Sequence, residues 1–355
     1  MNERRPRIAF AFRYGAAEHA ELFHALPALL SRLSEEAEVH YFGLRSAAPP
    51  AIPLPATVRY HHLPLRVRRT SERDKRLKTA AWIALLPWIA RRCRRLGMDA
   101  LYLDETIPLT AGIALRHFGP RVALTIADIF VDVYAERSRL VRALRPRVLA
   151  TDERAWRRLP LIFTRARAAA DWLAARGVPR EVIRTVYDPC DFTRYHPGDR
   201  AAARRKWGYA DSDIVLVHHG ILHPNKGNDW ILTALAPAMA RNPELRYLLV
   251  GDGPEMPRLR RIVAELGLGD RVRLAGWLPR PEDVCEALNA ADIGLVMRRG
   301  ARSDDFHMTG ALVHSMACGL PILAARLGGV SEVVREDETG WLFSPTDPAD
   351  RKSVV

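Results

Sequence analysis

The sequence predicts an α/β protein made of two doubly wound units. Two observations carry this. Short apolar runs of strand length alternate with amphipathic stretches of helical length along nearly the whole chain, the pattern of parallel sheets covered by helices. The alternation is interrupted near the middle by YHPGDRAAARRKWGYADSD, 195–213, which is polar, charged and punctuated by Gly and Pro. Such a stretch reads as an interdomain connection. A length of 355 residues also fits two units better than one.

In order, 7–12 is a buried-type strand and 18–33 a helix with apolar residues at helical spacing. Residues 39–43, 100–104, 122–126 and 161–164 are further short strands with helical stretches between them. The second half repeats the theme with strands at 214–218, 245–250, 272–275, 293–297 and 321–324. Helices lie between them at 228–240, about 259–266, 282–289 and from about 310. The domain reading is 1–197, a linker at 198–212, and 213–355. Ligands of such sheets bind at the carboxyl ends of the strands, so a cleft between two units is the expected site.

Net charge is +13, carried almost wholly by arginine; the lysines are Lys75, Lys78, Lys206, Lys226 and Lys352. Nucleic acid, an anionic membrane surface and anionic small substrates compete as partners. The arginines form no aromatic-interleaved stripe and no zinc-finger or RNP-like motif occurs, which argues against nucleic acid. Cys93, Cys190, Cys285 and Cys318 form no CxxC pair, so neither a disulfide framework nor a zinc site is expected. A reducing cytoplasm fits, and the N-terminus reads as strand without a signal-peptide core. No apolar run is long enough to span a bilayer.

Three stretches could carry chemistry. In HHGILHPNKGNDW a strand ends at His218–His219, Gly220 and Pro224–Asn225 turn, and Lys226 stands just before a helix. A helix N-terminus with a nearby ammonium suits a phosphate, while a solvated loop lysine is the plain alternative. In LLVGDGPE, Gly251 and Gly253 would let a ligand approach the backbone. In DDFHMTGALVHSMACGLP, Thr309 reads as an N-cap, leaving the N–H groups of Gly310, Ala311 and Leu312 unpaired. Two helix N-termini and a lysine neutralise a diphosphate without a metal, so no metal or cofactor is expected.

HPNKGND, LLVGDGPE, LGLGDRVRLAGWL, LNAADIGLV and MACGLPILAARLGGVSEVVREDETGWLFSPTDP together resemble the nucleotide-sugar domain of family-4, retaining glycosyltransferases of GT-B type. LIFTRARAAADWLAARGVPREVIRTVYDPCDFTRYHP extends the resemblance into the first half, and RYGAAEHAELFHALPALL falls at the family's glycine-rich loop. The resemblance implies two Rossmann-like domains and a nucleotide diphosphate sugar as donor substrate. It also implies a hydroxyl acceptor on a lipid-linked carrier or a glycan. Lys226 matches the family's diphosphate-binding lysine, but its arginine position is Ile221, with His223 as a substitute. The two family glutamates fall on Phe306 and His314. Asp304 and Asp305 could take over sugar reading, and neutral His314 could accept one ribose hydrogen bond. Gly15 and Ala16 stand at the glycine-rich loop. Backbone near Gly276, Trp277 and Leu278 would meet the base. Ala127 stands where the family often has the histidine of a His-Asp pair and Asp128 remains, where it orients a sugar or simply caps a strand end. A catalytically silent relative and a sugar-nucleotide epimerase are the alternatives.

The stretch 66–97 has an apolar centre with Trp82 and Trp88, flanked by cations. It suits either a membrane surface, placing the protein on the inner face of the cell membrane, or a core helix with solvated ends. The resembled family continues with further helices beyond PTDPADRKSVV. Without them, domain closure would be expected to suffer.

Overall fold

The computed structural model describes residues 4–45, 52–66, 72–104, 107–129, 131–132, 139–299, 302–306 and 308–347. The chain divides into two compact units, Met1–Tyr187 and Asp188–Val355. Each has its own parallel sheet and its own core.

In the first unit the strands are β1 (Arg7–Ala11), β2 (Glu38–Arg45), β3 (Arg59–Arg66), β4 (Ala100–Leu103), β5 (Val122–Ile126), β6 (Leu161–Thr164) and β7 (Ile183–Thr185). They are ordered β3-β2-β1-β4-β5-β6-β7, all parallel. The helices are α1 (Ala16–Leu22), α2 (Leu26–Glu36), α3 (Glu72–Arg95), α4 (Thr110–His117), α5 (Arg139–Trp156) and α6 (Arg167–Ala174). Phe10, Tyr41, Leu26 and Leu30 pack between the sheet and the first helices.

The helix expected over 18–33 is two helices. Pro27 lies in the first turn of α2, where its missing N–H costs nothing; within one continuous helix it would have broken the ladder. β3, β7 and β13 (Gly340–Phe343) were not expected as strands. All three lie at sheet edges, where a strand is buried less and the apolar signal weakens. β3 also carries Pro64, which an edge strand tolerates.

The second unit orders β8 (Ile214–His219), β9 (Leu245–Val250), β10 (Val272–Gly276), β11 (Ile293–Val296), β12 (Ile322–Ala325) and β13 as β10-β9-β8-β11-β12-β13. Its helices are α7 (Arg200–Trp207), α8 (Asn228–Arg241), α9 (Met256–Glu265), α10 (Pro281–Asn289), α11 (Gly310–Ala317) and α12 (Gly328–Ser331). Both sheets change winding direction beside their first strand, between β1 and β4 and between β8 and β11. Loops diverge there and leave a crevice at the carboxyl edge.

The stretch 198–212 is not a free linker. It carries α7, whose Arg204 is buried and donates to the carbonyls of Ala210, Asp211 and Asp213 and to the Asp292 carboxylate. Asp292 also accepts from the Val215 backbone at 2.8 Å, fastening α7 to β8. Upstream, Tyr195 is fully buried in the second core, and Gly198 N–H donates to Asn289 of α10. The second unit therefore starts at Asp188, ahead of the expected boundary at 197. Polar composition signalled a linker; the polar groups are spent inside the unit.

Candidate active site

In the second unit the β8–α8 connection builds the site from the chain outward. β8 ends at His219, and Gly220 takes φ 124°. A short 3-10 turn, Pro224–Lys226, follows, with the Lys226 N–H donating to the His223 carbonyl at 2.9 Å. Gly227 at φ 61° then admits the chain to α8. Lys226, half-buried, thus stands immediately before the helix, as the sequence predicts.

His218 lies beneath this loop. Its Nδ1–H donates to the Leu295 carbonyl at 2.9 Å, which leaves Nε2 as the bare ring nitrogen. Burial first, then the positive charge of Lys226 and, more weakly, Arg298, pushes its pKa to about 4. Two cations are therefore felt at one buried, neutral imidazole. Its Nε2 has no partner among the described residues.

Arg298 and Arg299, which follow β11, were not identified from sequence. Arg298 is buried and pairs with Asp304 at 2.9 Å. Arg299 bonds both oxygens of Asp229 at 2.7 Å and stacks on Trp230. Asp229 sits in the first turn of α8 and also pairs with Arg258 at 2.8 Å. The Nε–H groups of Arg298 and Arg299 have no acceptor among the described residues. Where Ile221 removes the resembled family's arginine, β11 thus brings guanidinium groups to the neighbouring loop. Sequence spacing could not show this, because the two segments are distant in sequence and are brought together by the β8–β11 pairing.

The helix N-cap expected at Thr309 is present. Its hydroxyl accepts the Leu312 N–H at 3.2 Å, and Gly310 opens α11. Leu312 N–H is therefore satisfied, also by the Thr309 carbonyl, contrary to the expectation that it is unpaired. Gly310 and Ala311 N–H have no acceptor among the described residues.

Other expected site residues already have neighbours. Gly251 and Gly253 admit the adjoining loop: a Cβ at Gly251 would lie 1.9 Å from the Gly220 carbonyl oxygen, and one at Gly253 would lie 2.6 Å from that of Leu222. The two glycine-bearing loops interlock through Leu222 N–H to Asp252 O and Glu255 N–H to Leu222 O. Asp305 accepts the Gly328 N–H at 3.2 Å and so fastens the start of α12; Asp304 is buried against Arg298. Neither aspartate is an uncommitted sugar reader. His314 is buried in a stack, 3.8 Å from the Tyr195 ring and 5.1 Å from that of His219. This stacking fixes the plane of its ring. Phe306 is buried as well. Gly276 closes β10 at φ 77°, Trp277 is half-buried, and Leu278 packs on the second core. Cys285 and Cys318, distant in sequence, come within 3.8 Å as thiols.

In the first unit, Gly15 caps α1 with ordinary extended backbone and Ala16 is its first residue. Asp128 is half-buried just beyond β5. A further carboxylate was missed by the sequence reading. Asp104, just past β4, has a side chain only 5% exposed and lies 3.3 Å from His19 Nε2 and 3.8 Å from Arg165. It also accepts from Tyr102. Burial opposes its charge, but the His19 hydrogen bond and the Arg165 field hold its pKa below the ordinary range. Burial pushes His19 down. This network backs α1 at its start.

These features match known proteins. The family model Glycosyl transferases group 1 matches residues 213–353. The chain belongs to the group 1 glycosyltransferases. A D-inositol 3-phosphate glycosyltransferase of Nocardia farcinica is 34% identical over 198 residues, 54% of this chain and 42% of that protein. An N-acetyl-alpha-D-glucosaminyl L-malate synthase of Bacillus anthracis is 30% identical over 269 residues, 75% of this chain and 66% of that protein. The chain spans less than half the length of the first D-inositol 3-phosphate glycosyltransferases that it matches. Among solved structures, sucrose-phosphate synthase from Thermosynechococcus elongatus aligns with TM-score 0.76 at 18% identity, covering 99% of this chain and 88% of that one. Anabaena HepE in complex with UDP-glucose aligns with TM-score 0.70 at 18% identity, covering 98% and 88%. The group 1 chain is thus of GT-B type, with two Rossmann-like units. Among the described residues, no helix is long and apolar enough to cross a membrane.

Proposed function

We propose that this group 1 chain transfers a hexose from a nucleotide diphosphate sugar to a hydroxyl of a lipid-linked or glycan acceptor, with retention and without a metal. The observation that carries this reading is the position of Lys226. It stands in the switch-point loop before α8, and its charge, with that of Arg298, is felt at His218. As the bond from the anomeric carbon to the phosphate oxygen breaks, negative charge grows on the leaving diphosphate. Lys226 and the N–H groups of Gly310 and Ala311 stabilise that charge, and fixed donors need no reorganisation at the moment of reaction. The phosphate oxygen accepts the acceptor's hydroxyl proton. HepE with UDP-glucose supports a nucleotide-sugar donor by likeness, and the two curated relatives support sugar transfer.

Lys226→Ala is the direct test. Turnover is expected to fall by about a hundredfold or more while the melting temperature barely moves. Unchanged turnover would refute the assignment. A thermal-shift panel of UDP, GDP, ADP and their sugars, with EDTA and with Mg²⁺, identifies the base; stabilisation in EDTA is expected.

A catalytically silent relative is the second reading, favoured by the buried Phe306 and the committed Asp305 and His314. Nucleotide binding without turnover for any donor would select it.

A further inference from the structure

Within the stretch 66–97, of which 67–71 lie outside the described residues, α3 (Glu72–Arg95) is a helix with two unlike faces. On α3 the side chains of Trp82, Leu86, Ile89, Ala90 and Cys93 are buried in the first unit. The opposite face, at helical spacing, carries Leu77 and Trp88, 53% and 46% exposed, followed by exposed Arg91, Arg92 and Arg95. Trp88, the three arginines and Leu96 line an open groove of about 360 Å³. The Arg92 guanidinium lies 5.4 Å over the Trp88 ring.

Charge accounting sets this face apart. Arginines elsewhere are widely paired, as Arg145 with Asp132, Arg204 with Asp292 and Arg299 with Asp229. Among the described residues, Arg91, Arg92, Arg94, Arg95 and Arg116 have no carboxylate partner and no hydrogen bond. Desolvation, and then the fields of Arg91, Arg116 and Arg94, lowers the pKa of His117 on the adjoining α4. An uncompensated cationic cluster continuous with exposed Trp and Leu fits a surface that is anionic above and apolar beneath. Nucleic acid offers the anions but gives Leu77 nothing to bury into.

We propose that this outward face of α3 docks on an anionic membrane, with Arg91, Arg92 and Arg95 on lipid phosphates and Trp88 at the headgroup level. The inference stands apart from the transferase reading, because docking needs neither donor nor turnover. The full chain would be sedimented at low ionic strength with phosphatidylcholine vesicles, pure or containing about one-third phosphatidylglycerol. Binding to the anionic vesicles alone is expected, with release by salt. The variant Arg91→Gln/Arg92→Gln/Arg95→Gln should weaken it about a hundredfold with unchanged circular dichroism. Should that variant fail to fold, Trp88→Phe with the arginines intact decides: brominated lipid chains should quench the wild-type chain more than this variant. Equal affinity for both vesicles, undiminished binding by the triple variant or equal quenching would overturn the proposal. So would tighter binding to duplex DNA through the same arginines.

Discussion

At the residue scale, the same amino acid serves different ends according to what it faces. Asp152 is buried on α5 and accepts the Leu109 N–H at 2.7 Å, where Leu109 itself sits at φ 71°. Burial raises its pKa to about 7, and the single backbone bond only partly offsets this. The folded state therefore favours the protonated form. The sign follows: the stabilising contribution is full below the unfolded pKa near 4 and is lost as pH rises through about 7. Asp152→Asn keeps an acceptor for Leu109 and removes the titration. Its advantage over wild type should grow from nearly zero at pH 4 to about 4 kcal/mol at pH 8, read by urea unfolding of both proteins at each pH. Taking the difference cancels the opposite trend of His218, which resists protonation on the acid side. Lys226, by contrast, matters through placement, and its loss should register in turnover rather than stability.

At the scale of elements, glycines and caps set how closely loops meet at the carboxyl edge of the second sheet. Gly251→Ala would drive a methyl into the Gly220 carbonyl and also hold a side chain at φ 146°. Backbone cannot yield cheaply there, so a loss of about 3 kcal/mol or more is expected in denaturant unfolding. Gly276→Ala meets open space and bears only the positive-φ cost, about 1–2 kcal/mol. Equal effects of the two changes would contradict the interlocked-loop description. Thr309→Ala removes a working N-cap and should cost about 1 kcal/mol, measured in the same assay.

At the scale of the whole molecule, the chain is two units with separate cores, and the second begins earlier than its polar composition advertises. A fragment starting at Asp188 should fold and unfold cooperatively. One starting at Asp213 loses Tyr195, the Arg204 anchor and α7, and should be largely unfolded; circular dichroism and thermal melts distinguish the two. The fragment from Asp188 should also retain any nucleotide-dependent thermal shift if the donor site lies wholly in this unit.

What the sequence determined by itself was what local patterning encodes. Buried parallel strands are continuous apolar runs, and the glycine, proline and threonine signals around Lys226 and Thr309 act through their own backbone neighbours. The fold class, most central strands, the Lys226 turn and the α11 cap were therefore legible. Edge strands and the break at Pro27 were not, because their residues carry a weaker or mixed pattern. Only the tertiary structure decided which groups are already committed. Sheet pairing brings Arg298 to the β8 loop, buries Asp304 on it, stacks His314 on Tyr195, and places Asp104 behind α1. Apart from the Arg298–Asp304 pair, these contacts join segments far apart in sequence, and a side chain's type does not reveal whether another group has already satisfied it.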